Sequence, residues 1–157
     1  PAPDRAARLA ELRAAYPRTL ATLPMRWTLP LVRRLARSGR LWVQTQFNHP
    51  RELTPEAVAA CARLVGHGIP VSNQSVLLRG VNDDPAVMAA LCAGLQRARV
   101  RPYYVFVCDP IAGIGHFRTP PETAPRLREH LLTHLGGLAC PRFVADLPGA
   151  PHKQDVR

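Results

Sequence analysis

Apolar and polar positions switch between two periods along this chain, and the switch repeats. Residues 41–47, LWVQTQF, are a short run with β-branched and aromatic members that stops at Asn-His-Pro, which predicts a strand and a turn. TPEAVAACARLVGHG follows, with Thr54 as N-cap, Pro55 at the first helical position and Gly66 and Gly68 as stops, which predicts a helix. IPVSNQSVLL reads as the next strand. The segment DDPAVMAALCAGLQRARV opens at Asp84-Pro85 and places Val87, Met88, Leu91 and Leu95 on one face, as a helix does. RPYYVFVCD is a third strand, and TAPRLREHLLTHL, with Leu127, Leu131 and Leu135 four apart, a third helix. PRFVAD reads as the last strand. Upstream, TLATLPM suggests one more strand, LPLVRRLARSG a helix, and residues 4–16 an amphipathic helix.

Equivalent strand positions fall about 30 residues apart, the length of one βα unit. Alternating strands and helices joined by short loops imply a parallel sheet with helices outside it. An open doubly wound sheet and a barrel share this pattern, and two details favour the barrel. No Gly-rich dinucleotide loop follows any strand. Polar residues also collect at successive strand ends: Asn48 and His49, Arg79 and Asn82, Asp109, and Asp146. That rim carries the chemistry of (β/α) barrels, but a complete one takes about 250 residues. With 157 residues, the expected fold class is α/β, a partial TIM-type (β/α) barrel of parallel strands with outer helices.

Composition narrows the function classes. Hydrophobic residues are 46% and charged residues 20%, a globular balance. No apolar run approaches the roughly 20 residues of a membrane helix, and the first residues lack the apolar centre of a secretory signal, so the expected location is the cytoplasm. The net charge of +10 invites nucleic acid, but the arginines are scattered and the few aromatics do not interleave with them, so nucleic acid is disfavoured as a partner. Cys61, Cys92, Cys108 and Cys140 are spaced by 31, 16 and 32 residues and form no CxxC pair. They read as reduced and structural, and no metal-ligand set is assigned.

Three groups are candidates for chemistry. Of the 21 basic residues only Lys153 is a lysine. A primary amine condenses with an aldehyde where a guanidinium does not, so Lys153 is a candidate Schiff-base anchor for pyridoxal phosphate; the alternative is a solvated lysine in a frayed tail. Asp109 and Asp146 end consecutive strands, which lie about 4.8 Å apart when paired. Two carboxylates facing one cavity call for a cation, either a substrate ammonium or a metal, and the alternative is a pair of capping or turn aspartates. His130 and His134 have the spacing of a zinc pair but lack the glutamate of HExxH, and read as a helix-surface pair. His116 lies in the loop after the third strand, with no role defined by its chemistry.

The segments VQTQFNHPREL, GIPVSNQSVLLRGVNDDP, VRPYYVFVCDPIAGIGHFRTP and CPRFVADLPGAPHK closely resemble, in that order, the C-terminal half of the lysine 2,3-aminomutase family of radical S-adenosylmethionine enzymes. The likeness runs from about Leu23 to Lys153. It implies two parts, an unplaced N-terminal helical segment at 1–20 and the C-terminal half of an aminomutase barrel at 21–157. It implies an isomerase that converts L-lysine to β-lysine by 1,2-amino migration, using pyridoxal phosphate, S-adenosylmethionine and a [4Fe–4S] cluster. Lys153 then matches the lysine that holds pyridoxal phosphate as an internal aldimine, and Asp109 and Asp146 match the aspartates that grip the side-chain ammonium of the substrate. Gln74 matches a position near the S-adenosylmethionine ribose.

The likeness also has limits. The cluster-binding CxxxCxxC motif of the family has no counterpart in this chain, and the family's glycine run before the lysine is replaced by Gly149-Ala150-Pro151-His152. Asp84 stands where some members have a zinc-binding cysteine. A half barrel also leaves strand edges unpaired. The expectation is therefore a C-terminal fragment that is inactive alone and needs the missing N-terminal half or a partner supplying it, with room for a homo-oligomer. Its ligand would be lysine or a related ammonium-bearing amino acid. The alternative is a catalytically dead remnant acting as a non-enzymatic interaction protein.

Overall fold

The computed structural model describes residues 25–147 and 149–156. Helix α1, Met25–Ala36, belongs to an N-terminal unit, residues 1–40, and every other described element to a second unit, residues 41–157. Helix α1 begins four residues before the predicted start at Leu29 and runs through Pro30, although a proline there removes one backbone bond of the helical ladder. It ends where Gly39, at φ +63°, turns the chain and donates to the Ala36 carbonyl. The predicted helix at 4–16 and strand at 19–25 lie outside the described residues, except that Met25 is helical.

In the second unit the predicted order holds. Strand β1 (Val43–Thr45), helix α2 (Pro55–Gly66), strand β2 (Val71–Leu77), helix α3 (Pro85–Arg97), strand β3 (Arg101–Val107), helix α4 (Thr123–His134) and strand β4 (Arg142–Ala145) follow one another. Strands β1 to β4 pair in sequence order and in parallel. A fifth strand, β5 (Gln154–Asp155), was not foreseen; it pairs antiparallel with β4 and occupies its outer edge. The predicted Thr54 cap is in place, its hydroxyl accepting from the Ala57 N–H, and Asp84, where the next helical segment is expected to open, caps it by accepting from the Ala86 and Val87 N–H groups.

The helices bury one face of the sheet. Met88, Leu91, Cys92 and Leu95 of α3 and Leu127 and Leu131 of α4 pack with Val71, Leu77, Val105 and Phe143 of the strands. Because parallel-paired residues share a face, the register sorts the other side as well. Gln74, Tyr104 and Arg142 form one row across β2, β3 and β4, and Val76, Phe106 and Val144 form the next. These side chains face away from the helices. The register shifts between Asn73 and Gln74, so Tyr103 is an extra residue on β3 and its ring lies 4.0 Å from that of Tyr104.

Candidate functional site

The polar residues at the strand ends divide into struts and free groups. Asn82, fully buried, donates to the Asn48 and Val76 carbonyls at 2.8 Å and accepts from the Leu78 N–H at 2.7 Å. Asn48 accepts in turn from the Val76 N–H. His49 is the cap of a short 3-10 turn at Pro50–Glu52: its Nδ1 accepts from the Arg51 N–H while Glu52 accepts from the His49 N–H. The reading of the rim as candidate chemistry is thus corrected for Asn48, His49 and Asn82. His49 caps its own turn, while Asn48 and Asn82 hold the end of β1 against the end of β2, where regular strand pairing has already stopped. Asn73 does the same one step earlier, giving the Phe47 N–H an acceptor and the Phe47 carbonyl a donor. Arg79 is exposed, and its backbone N–H ties its loop to the Phe117 carbonyl.

The free groups gather at β4. Strand β4 ends at Ala145, which pairs with Gln154 of β5, so Asp146 and Lys153 are the next opposed positions of the antiparallel ladder. The Lys153 Nζ lies 3.6 Å from the Asp146 carboxylate and 5.4 Å from the centre of the Phe106 ring. Both distances lie within reach of Coulomb and cation–π attraction. The two side chains are 42% and 52% exposed, so the pair adds little to stability and leaves the amine accessible. The loop between them turns at Gly149, φ +80°, with the Ala150 N–H donating to the Leu147 carbonyl. The alternative of a frayed tail does not describe Lys153. The residues after it are pinned by the Val156 N–H to Phe143 and by a two-pronged Arg142–Asp155 pair.

Asp109 follows β3, next to β4, as the spacing requires, and is exposed. Among the described residues its carboxylate has no ion-pair partner and shares no bridging cation with Asp146; the cation beside Asp146 belongs to Lys153. Gln74 lies at mid-strand on the face shared with Tyr104, half-buried, with no side-chain hydrogen bond among the described residues. His116 sits in a 3-10 turn with its ring 4.1 Å from that of Phe117. His130 and His134 stack on each other on α4, and His134 Nδ1 meets the His130 carbonyl oxygen.

The same sheet face carries further charge and aromatic groups that the sequence reading did not single out. Arg101 lies 6.0 Å from the Tyr103 ring and Arg142 5.7 Å from the Tyr104 ring. The Tyr104 phenol is pushed above its ordinary value, first by the neighbouring Tyr103 phenol. The Arg142 guanidinium is held above its usual range by its hydrogen bonds to Asp155. A cavity of about 420 Å³ opens at the other end of β4, lined by Arg128, Leu131, Cys140, Arg142 and Val156, and contains no predicted site residue.

The lysine is a fit partner for an aldehyde: a reachable primary amine on a fixed strand end, beside an acid. The cysteines do not fit an iron–sulfur cluster. Cys61, Cys92 and Cys108 are buried, the four lie on different elements, and no three His, Cys, Asp or Glu side chains converge among the described residues.

No family model matches the chain. It is 46% identical over 139 residues to L-lysine 2,3-aminomutase of Fusobacterium nucleatum and, over the same length, 46% identical to that of Clostridium subterminale. Each match takes in 88% of this chain and 33% of the relative. Glutamate 2,3-aminomutase of Clostridioides difficile is 37% identical over 131 residues, 83% of this chain and 31% of that protein. The chain therefore spans about a third of the length of the curated relatives it matches. Among solved structures, a radical SAM methyltransferase from Sphaerobacter thermophilus superposes with a TM-score of 0.53 at 24% identity, over 74% of this chain and 38% of the other, a likeness of fold.

Proposed function

The chain is homologous, over part of their length, to the L-lysine 2,3-aminomutases, and on that premise we propose that it carries the cofactor-anchoring and substrate-ammonium portion of a lysine 2,3-aminomutase-like isomerase. The observation that supports this most is the placement of Lys153 opposite Asp146 on neighbouring strand ends, with an accessible amine. In this reading Lys153 bonds to the aldehyde carbon of pyridoxal phosphate, which when bound supplies the π system that lets an amino nitrogen change carbon atoms. Asp109 and Asp146 hold the side-chain ammonium of the amino acid, and two acids at the rim favour lysine over glutamate as substrate. Gln74, with a free amide on the same sheet face, faces the ribose of S-adenosylmethionine.

The [4Fe–4S] ligands are assigned to no residue of this chain, and no step is derived through them. The remaining two thirds of the relatives' length, supplied by further chain or by a partner, would bring them and cover the exposed sheet face. No helix among the described residues is long and apolar enough to cross a membrane, and a cytoplasmic setting belongs to the proposal.

Borohydride trapping tests the reading. The purified chain is incubated with pyridoxal phosphate, reduced and digested, and the pyridoxyl group is located by mass spectrometry, with Lys153→Arg as control. Labelling of Lys153 that saturates at low cofactor concentration and vanishes on unfolding is the expected result. Labelling no greater than that of the unfolded chain overturns it and leaves a non-enzymatic binding role.

A further inference from the structure

The interval between Asp146 and Lys153 is the geometry of a hairpin. Val144 pairs with Asp155 and Ala145 with Gln154, and in an antiparallel ladder each step forward on one strand is a step back on the other. Asp146 therefore opposes Lys153 whatever the loop between them does, and the 3.6 Å contact follows from register. Alternation puts Arg142, Val144 and Asp146 on one face of β4, the face of Phe106, whose ring borders the ammonium on its other side. Among the described residues, the Asp146 carboxylate has Lys153 as its single ionic partner.

From this geometry we infer that Asp146 serves two cations in turn: the Lys153 ammonium while that side chain is free, and the ammonium of an incoming ligand once the Lys153 charge has been removed. Asp146 is then a positioning residue for the lysine before it is a ligand-binding one. The trigger is the condensation proposed above and rests on that reading; the exclusion between the two cations does not. The step balances without any further reactant. The ammonium gives a proton to water, the free amine adds to an aldehyde carbon, and water leaves as the carbon–nitrogen double bond forms. The nitrogen that offered three N–H donors keeps none as the neutral imine, and its positive charge is gone. The carboxylate, still charged and held at the strand end, loses its partner and gains affinity for another. Cofactor loading therefore precedes binding of the amine-bearing ligand, and a chain without cofactor resists the ligand at this position.

The test is a titration of the full chain with n-butylammonium, an ammonium on an alkyl stem with no carboxylate, followed by the backbone amide shifts of Asp146 and Gln154. Wild type, Lys153→Met, Lys153→Gln and the double variant Lys153→Met/Asp146→Asn are compared, with the Val156 amide signal reporting that the hairpin is intact. Both single variants should bind n-butylammonium about two- to fivefold more tightly than wild type, the range expected for releasing a half-exposed carboxylate from an ion pair. The gain should disappear in the double variant. Equal binding by wild type and the single variants, or a gain that survives Asp146→Asn, overturns the inference. Adding pyridoxal phosphate to wild type, with N,N-dimethyl-n-butylammonium as the probe because a tertiary ammonium forms no imine with the aldehyde, should reproduce the gain. If Lys153 is labelled and binding does not change, the handover is wrong and the function stands. If Lys153→Met gains affinity while pyridoxal phosphate labels nothing, the two-cation exclusion stands and the function proposal falls.

Discussion

Replacing Asn82 by alanine should be among the most damaging single changes to the rim, and the structure gives the size of the effect. The Asn82 side chain is fully buried and makes three hydrogen bonds of 2.7–2.8 Å, to the Leu78 N–H and to the carbonyls of Asn48 and Val76. Three such bonds contribute about 0.5–1.5 kcal/mol each, and a buried group left without its partner adds a desolvation penalty, so Asn82→Ala should cost about 2–5 kcal/mol. Urea unfolding followed by far-UV circular dichroism would read this as a midpoint lowered by about 1–2.5 M, given a slope near 2 kcal/mol per molar. Asn82→Asp sharpens the test. It keeps the acceptor for Leu78 but turns a second oxygen toward two carbonyls. At neutral pH it should be worse than alanine. Burial and those carbonyls raise the carboxyl of the folded variant above the roughly 3.9 of an unfolded aspartate. Its stability is therefore greatest below that value and falls as pH rises through the folded-state value, as for any group whose pKa folding raises. A loss below about 0.5 kcal/mol in Asn82→Ala, with an unchanged slope, would refute the account, because it would mean that water replaces the amide at no cost.

Three further outcomes are expected. Burial pushes the Cys92 thiol up to about 12, so the unfolded chain ionises first; stability should fall by about 1.4 kcal/mol per pH unit above roughly pH 9, and Cys92→Ala should flatten that slope in unfolding curves at pH 8–10. Arg99 follows α3 with φ +60°, a position where glycine is usual, so Arg99→Gly should raise stability by about 0.5–1 kcal/mol in the same urea assay. Gly149 has φ +80°, so Gly149→Ala should cost about 1–2 kcal/mol of hairpin stability, seen as faster hydrogen exchange at the Val156 amide and weaker saturable labelling of Lys153.

Much of the fold was legible because local signals and burial agree. Thr54 and Asp84 start helices wherever they are placed before Pro55 and Pro85, since a capping oxygen and a fixed φ act within a few residues. The leucines of α3 and α4 mark their buried faces because 3.6-residue spacing can satisfy only one side of a helix. The rim was harder. Asn48, Asn82 and Asp146 look alike as polar residues after strands, yet two are struts and one faces an ammonium. A polar side chain declares its chemistry only through the partners that remain after folding, and the bonds that make these two into struts, Asn48 to Val76 and Asn82 to Asn48, reach backbone groups 28 and 34 residues away.

The sequence by itself determined that strands and helices alternate, where the helices begin, and that one amine stands alone among arginines. Those properties depend on neighbours a few residues apart. The tertiary structure decided that the tail returns antiparallel to β4, that a bulge turns Tyr103 toward Tyr104, and that Lys153 meets Asp146 and Phe106. A two-residue strand has too little pattern to be read alone; it exists because an open edge of hydrogen-bonding groups at β4 lies within reach of it, and that edge is made by the whole sheet.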